Sequence, residues 1–213
     1  MKKCFRYLFM SNLPNYATAP IFAVVILAGC YFTGVPAEGR GLFYGYFNMF
    51  PSMLLLVAMF SGTAFCTSSL NHALSYGARR RDYFWGLQGI ILLNTLLYCL
   101  MNAAFLALPQ LLHWHPDLSG AKFTPLYPLT MLMCHVVGCA LGQLYIKSRG
   151  WASVIIGIAT FLLILNPITD TILAHNNSGV WGGFPIMGTA FCLLITFICE
   201  FWTFGVILNA TVR

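Results

Sequence analysis

Long apolar runs separated by short polar stretches constrain this chain more than any other feature. Of its 213 residues, 59% are hydrophobic and only 8% are charged, whereas soluble domains carry roughly 25% charged residues. The runs match the about 20 residues of a membrane-spanning helix and exceed the roughly ten-residue alternating strands of outer-membrane barrels. The sequence therefore predicts one all-α integral membrane domain over residues 1–213.

Six apolar runs are predicted to cross the membrane. They cover residues 16–33, 42–66, 83–108, 126–146, 151–173 and 184–208. Six crossings place both termini on one side, together with most of the basic residues: Lys2, Lys3, Arg6, Arg79, Arg80, Arg81, Lys147, Arg149 and Arg213. Only Arg40 and Lys122 fall on the other side. Because positive residues concentrate in cytoplasmic loops, the sequence predicts cytoplasmic termini and a multi-pass protein of a bacterial cytoplasmic (inner) membrane.

The N-terminal segment, residues 1–14, is predicted to be a basic helix that lies in the membrane interface. Its apolar side chains share one helical face: Phe5, Leu8, Phe9 and Leu13. A plain positively charged anchor before the first span fits the same residues. A further alternative is that residues 27–30, which read LAGC, form a lipoprotein cleavage site that would leave five spans. The apolar run continues beyond Cys30, which favours the uncleaved chain.

A polar stretch, residues 70–86, separates the second and third spans and reads LNHALSYGARRRDYFWG. Leu70, Ala73 and Leu74 have the i, i+3, i+4 spacing of one helical face. Gly77 can end such a helix, since glycine tolerates the left-handed turn after a C-terminus. The stretch therefore predicts a short cytoplasmic helix over residues 70–77. Its apolar patch would face away from the membrane and suit a groove on a soluble partner.

Three consecutive arginines, Arg79 to Arg81, follow this predicted helix. Anionic lipid headgroups favour arginine at that depth, so these side chains would hold the helix at the membrane surface. An ordinary cytoplasmic loop that obeys the positive-inside rule is the alternative. It explains the arginines, but a tight connection would not need the preceding ALSYG segment.

Part of this stretch resembles the loop between spans two and three of permease subunits in type 2 ABC exporters. That loop reads approximately L-S-[FY]-G-x-[ST]-R-[RK]-x-[FY]-[FY]-x-G. The matching residues are Leu74, Ser75, Tyr76, Gly77, Arg79, Arg80, Tyr83, Phe84 and Gly86. Ala78 stands where the family usually has a small hydroxyl residue before its arginine pair. The basic N-terminus and six spans are also similar to that family.

The resemblance implies the transmembrane half of an ATP-driven exporter, with residues 70–77 as the coupling helix that docks into an ATPase subunit. The implied docking residues are Leu70, Ala73, Leu74, Ser75, Tyr76, Gly77, Arg79, Arg80 and Arg81. It also implies a dimer with a second permease copy or a paralogue. The chain contains no GxxxxGK phosphate loop. Mg²⁺ and ATP would therefore bind the separate ATPase, and this chain would hold no cofactor.

Polar residues inside the spans are candidates for a substrate path: Thr63, Asn94, Asn102 and Glu200. An intramembrane carboxylate is a functional candidate by default, and a hydrogen bond or salt bridge that locks the sixth helix is the structural alternative for Glu200. Abundant aromatic residues favour an amphipathic or hydrophobic substrate. An ATP-independent secondary carrier or a membrane sensor with six spans is the alternative function.

The sequence contains little that would indicate an enzyme or a metal site. It has neither a GxSxG nor an HExxH motif, so no catalytic residue is predicted. The segment HWHPD at residues 113–117 lacks the further ligands that a metal site requires and is more typical of an interfacial loop anchored by Trp114. No metal site and no nucleic-acid partner are expected, and the lipid bilayer is the expected surrounding.

Overall fold

The apolar runs form a bundle of long helices. The computed structural model describes residues 2–32, 42–111, 126–148 and 184–209, together with positions 150, 151, 155, 158, 180 and 181. Its helices are α1 (Lys2–Phe32), α2 (Leu42–Ala64), a π-helical turn (Phe65–Ser69), α3 (Leu70–Ser75), α4 (Arg80–Leu111), α5 (Tyr127–Lys147) and α6 (Ile186–Asn209). A two-residue antiparallel pair, β1 (Val180–Trp181) with β2 (Phe184–Pro185), precedes α6.

Four helices among the described residues are long and apolar enough to cross a membrane, which indicates an integral membrane protein. They are Met53–Ser75, Arg80–Phe105, Tyr127–Lys147 and Thr189–Asn209, and they correspond to the predicted spans two, three, four and six. The predicted first span lies within α1. The predicted fifth span, residues 151–173, lies almost entirely outside the described residues.

All seven basic residues that the structure describes lie at one end of the bundle, which we call the arginine end. They are Lys2, Lys3, Arg6, Arg79, Arg80, Arg81 and Lys147. Near the start of α4, Gly86 lies directly against Phe5 of α1, and Arg80 reaches Leu208 near the end of α6. The last residues of α5 and α6 also lie at this end.

The α2 and α5 helices lie close together, and glycines make this approach possible. A Cβ atom on Gly138 would lie 2.1 Å from the carbonyl oxygen of Met59, and one on Gly142 would lie 2.6 Å from that of Thr63. The Thr63 hydroxyl donates to the Gly138 carbonyl across this contact at 3.2 Å. These two glycines, four residues apart on α5, form a small-residue contact of the kind common between membrane helices.

The N-terminal segment differs from its prediction in two ways. Residues 2–14 are not a separate helix, because α1 continues through Pro14 to Phe32. The buried face is formed by Cys4, Leu8 and Asn12, whereas Leu13 is 50% exposed. The glycines at positions 86 and 89 leave room for α1 to pack on α4, and this close approach selects the buried face. A location in the membrane interface stays a prediction for this segment.

Candidate functional site

The end of α3 is a helix stop at the arginine end. Gly77 has a φ of +80°. Its amide donates to the Leu74 carbonyl at 3.0 Å, and the Ala78 amide donates to the Ala73 carbonyl at 3.0 Å. These two bonds form a Schellman motif, in which glycine supplies the left-handed residue. The prediction that the helix stops at Gly77 is therefore confirmed.

The predicted coupling helix is the continuation of the second span rather than a separate helix. The chain stays helical from Leu42 to Ser75, with the π-helical turn between α2 and α3. Inside that turn, the Phe65 carbonyl accepts a hydrogen bond of 2.5 Å from the buried Tyr83 hydroxyl. The end of the second span is thus tied to the beginning of α4, and α3 is an extension of the α2 helix.

The apolar face of α3 is turned into the bundle, which corrects the prediction that it faces a partner. Leu70 and Ala73 are only 3% and 5% exposed, and Leu74 packs beside them. They belong to a cluster at the arginine end with residues from five other helical elements, among them Leu8, Phe65, Tyr83, Leu87, Cys139 and Ile207. The spacing correctly predicts a shared face. Because Leu70 and Ala73 are buried in this cluster, they are unavailable for docking.

The opposite face of α3 is exposed and polar, and we call it the docking face. Its members follow helical spacing and continue past the helix stop: Asn71, His72, Ser75, Tyr76 and Arg79. Tyr76 is the most exposed aromatic side chain among them, at 83%. The Ser75 hydroxyl donates back to the His72 carbonyl at 2.8 Å. Of the predicted docking residues, Ser75, Tyr76, Gly77, Arg79 and Arg81 remain exposed.

Arg80 has a structural contact that its two neighbours lack among the described residues. Its Nη1 atom donates to the Leu208 carbonyl near the end of α6 at 3.0 Å. The last carbonyls of a helix have no partner within the helix, and a cation there also favours the helix dipole. Arg80 therefore joins the beginning of α4 to the end of α6.

The four predicted path residues are not brought together. The Thr63 hydroxyl bonds to the backbone of its own helix at Met59 and to Gly138. Asn94 and Asn102 are buried on α4, at 0% and 1% exposure. Glu200 lies on α6 nearer the arginine end, where Gln88 donates to its carboxyl at 2.9 Å. The hydrogen bond from Gln88 is the helix-locking contact given above as the structural alternative for Glu200, and a substrate path through these four residues stays a prediction.

The Gln88–Glu200 hydrogen bond is expected to stabilise the contact between α4 and α6. Gln88→Leu should lower the free energy of unfolding by about 1–3 kcal/mol, because it leaves a partly buried carboxyl without its donor. Unfolding of the purified protein in mixed micelles, followed by intrinsic fluorescence, measures the change. Glu200→Gln is the matched control: its amide oxygen still accepts from Gln88, so its stability should stay near that of the wild type.

Two further polar residues of α5 are buried; His135 was missed as a site candidate, whereas Gln143 is one of the polar residues that the sequence places inside the spans. His135 is 0% exposed. Gln143 is 4% exposed, and its amide donates to the Thr203 carbonyl of α6 at 3.4 Å. The signal that identifies them is a polar side chain within an apolar span. No group of three or more potential metal ligands occurs among the described residues, and residues 113–117 lie outside them.

Known proteins give no information about the function of this chain. No protein-family model, no curated protein and no solved structure matches the chain. Three features of the described residues bear on its function. They are the docking face, the helical continuity of α2 and α3, and the concentration of basic residues at one end.

Proposed function

We propose that this chain is the transmembrane permease half of an ATP-driven exporter in a bacterial cytoplasmic membrane, with its arginine end in the cytoplasm. The observation that carries the proposal is Tyr76, which is 83% exposed immediately before the glycine stop of α3. The motif around it is similar to the coupling segment of type 2 ABC exporters. Concentration of the described basic residues at this end supports the orientation, because positive residues favour the cytoplasmic side.

The docking face would contact an ATPase subunit carried on a separate chain, which binds ATP with Mg²⁺. Closure of that partner would push on α3. The α3 helix continues α2, the π-helical turn between them is tied to α4 through Tyr83, and α4 is tied to α6 through Arg80. Movement at the docking face would therefore reach three spans together. Such rigid-body displacement of packed helices is a common form of conformational change. A second permease copy or a paralogue would complete the transporter, and the substrate would be amphipathic or hydrophobic.

The proposal predicts that Tyr76→Asp abolishes association with the ATPase while the membrane domain stays folded. Tyr76 makes little contact with its own chain, so its replacement removes the exposed aromatic ring without opening the core. The tagged chain is purified from membranes of its host. Mass spectrometry then identifies a co-purifying protein with a phosphate-binding loop, and its ATP hydrolysis in the complex is measured. We expect at least about a tenfold loss of the ATPase with Tyr76→Asp, equivalent to about 1.4 kcal/mol or more.

Two control variants distinguish a loss of ATPase docking from a loss of folding. Tyr76→Phe keeps the ring and should retain the ATPase. Asn209→Asp places a carboxylate at the same end of the bundle, outside the docking face, and should also retain it. Thermal unfolding of each variant should match the wild type. An ATPase retained by Tyr76→Asp would contradict the docking assignment. The absence of any co-purifying ATPase, even after chemical cross-linking, would favour the ATP-independent carrier or sensor.

A further inference from the structure

Buried polar side chains gather deep in the bundle, between α1, α4 and α5. We call this group the polar core cluster: Asn12, Asn94, Tyr98, Asn102 and His135. Each is at most 1% exposed. Asn94 lies about 21 Å along α4 from Arg80, and His135 about 18 Å along α5 from Lys147, at about 1.5 Å per residue. Both positions fall well inside a hydrocarbon core that is about 30 Å thick.

Direct contacts join the three helices at this cluster. The Asn12 amide of α1 donates to the Asn94 side-chain oxygen of α4 at 3.3 Å. The Tyr16 hydroxyl donates to the same oxygen. The Tyr98 ring of α4 stacks on the His135 ring of α5, with centroids 5.8 Å apart and planes inclined by 14°. Tyr98 therefore links the asparagine pair to the histidine.

Four polar atoms of the cluster have no hydrogen-bond partner among the described residues. They are Asn94 Nδ2, the Tyr98 hydroxyl, Asn102 Oδ1 and His135 Nε2. The Ser61 and Asn12 side chains lie near the Tyr98 hydroxyl but form no hydrogen bond of normal geometry with it. More than nine-tenths of buried polar groups in proteins are hydrogen-bonded to protein or to ordered water. An unpartnered polar atom in a membrane core costs several kcal/mol, because no bulk water is available there. Four such atoms in one cluster therefore indicate a bound partner.

His135 defines part of the chemistry that this partner needs. Its Nδ1 atom lies 3.0 Å from the Met131 carbonyl oxygen. A carbonyl only accepts, so this hydrogen bond assigns the proton of the neutral ring to Nδ1 and leaves Nε2 as a bare acceptor. Asn94 Nδ2 is a donor, Asn102 Oδ1 is an acceptor, and the Tyr98 hydroxyl can act as either. The partner has to donate and accept at the same time.

We propose that the polar core cluster is an internal hydration site that binds ordered water within the membrane-spanning bundle. Water donates and accepts, and a buried water typically makes about three hydrogen bonds. The near-zero exposure of every member leaves no opening to the surface for a larger ligand. Asn94 and Asn102 are about 12 Å apart along α4 at about 1.5 Å per residue, so more than one water molecule is needed to reach both.

Such a site would give the bundle interior polar contacts that can rearrange. Its water would bond α4 to α5, and the direct contact of Asn12 with Asn94 joins α1 to them. Water-mediated bonds are nearly as favourable as direct ones and re-form when their partners move. The inference does not depend on an ATPase partner, because it rests only on buried atoms of this chain.

Solid-state NMR of the intact protein in lipid bilayers tests the proposal. The sample carries isotope-labelled histidine and isoleucine, and magnetisation is transferred from water to the side chains. We expect signal build-up at the His135 ring to approach that of exposed His72 and to exceed that of Ile90, a fully buried apolar residue of α4. The Nε2 resonance of His135 should have the shift of a hydrogen-bonded ring nitrogen. His135→Leu, which removes the signal, supplies its assignment.

The Tyr98→Phe variant provides a second test in the same NMR experiment, because it keeps the ring stack but removes one hydroxyl from the site. Transfer to His135 should slow by roughly twofold or more, because the water loses one of its about three partners. Build-up at wild-type His135 as slow as that at Ile90 would overturn the proposal, whether Nε2 is bare or bonded to another protein group. Transfer unchanged by Tyr98→Phe would overturn the placement of water beside Tyr98.

Discussion

Gly138→Ala is expected to destabilise the protein more than any other single methyl group added at a described glycine. The new Cβ would lie 2.1 Å from the Met59 carbonyl oxygen, a backbone atom that cannot move aside without moving α2. We expect a loss of about 3 kcal/mol in the free energy of unfolding, at the upper end of typical overpacking costs. Gly142→Ala, with 2.6 Å to the Thr63 carbonyl oxygen, should cost less. Denaturant titration in mixed micelles measures both.

Gly205→Ala is the matched control for this prediction. Gly205 lies inside α6, and nothing lies within 4 Å of the position of its added Cβ. Alanine is favoured over glycine in a helix by up to about 1 kcal/mol, so this variant should be neutral or slightly more stable. If Gly138→Ala were as stable as Gly205→Ala, the close contact between α2 and α5 would be refuted.

Leu8→Ala is expected to loosen α1 from the arginine end. Leu8 is 0% exposed and packs with Tyr83, Leu87 and Ile207. Removing three carbon atoms from a filled site typically costs about 2–5 kcal/mol, including the cavity that remains. In a membrane the lost packing contributes most of this, since lipid is as apolar as leucine. We expect a loss of at least about 2 kcal/mol, measured by the same titration.

Leu13→Ala separates packing of α1 from its attachment to a membrane. Leu13 lies on the same helix but is 50% exposed, so its truncation should change the free energy of unfolding by less than about 0.5 kcal/mol. An N-terminal segment held only by the lipid interface predicts a different result, in which both leucines contribute similarly. Equal effects of the two substitutions would therefore contradict the packing of α1 on α4.

Helical periodicity predicted which residues share a face but not what each face contacts. Leu70, Ala73 and Leu74 share a face as their spacing indicates, and the end at Gly77 follows from glycine chemistry. The direction of that face depends on α1, α4, α5 and α6, which are distant in sequence. The same limit applies to α1. Its apolar pattern favours a face containing Leu13, whereas the approach allowed by Gly86 selects Cys4, Leu8 and Asn12.

The sequence identified the polar residues in the spans more easily than it identified their hydrogen-bond partners. Each of Asn94, Asn102 and Glu200 stands out against an apolar background, so composition alone locates it. Their partners, Asn12 for Asn94 and Gln88 for Glu200, come from helices whose rotation the sequence does not specify. Four of the predicted spans correspond to described apolar helices of spanning length, because hydrocarbon thickness fixes the length of such helices. Contacts between spans depend on packing that no single segment encodes.

The π-helical turn (Phe65–Ser69) determines the direction in which each side chain of α3 points. In a strict α-helix, at about 100° per residue, His72 and Tyr76 would lie within about 20° of the inward direction of Phe65. A π-helical turn accommodates one additional residue, so Ala73 takes an inward position and Tyr76 points outward. The one additional residue in this turn thus determines which side chains are exposed at the end of α3. Loss of a single residue from this turn would rotate α3 by about 100° and turn Tyr76 toward the bundle.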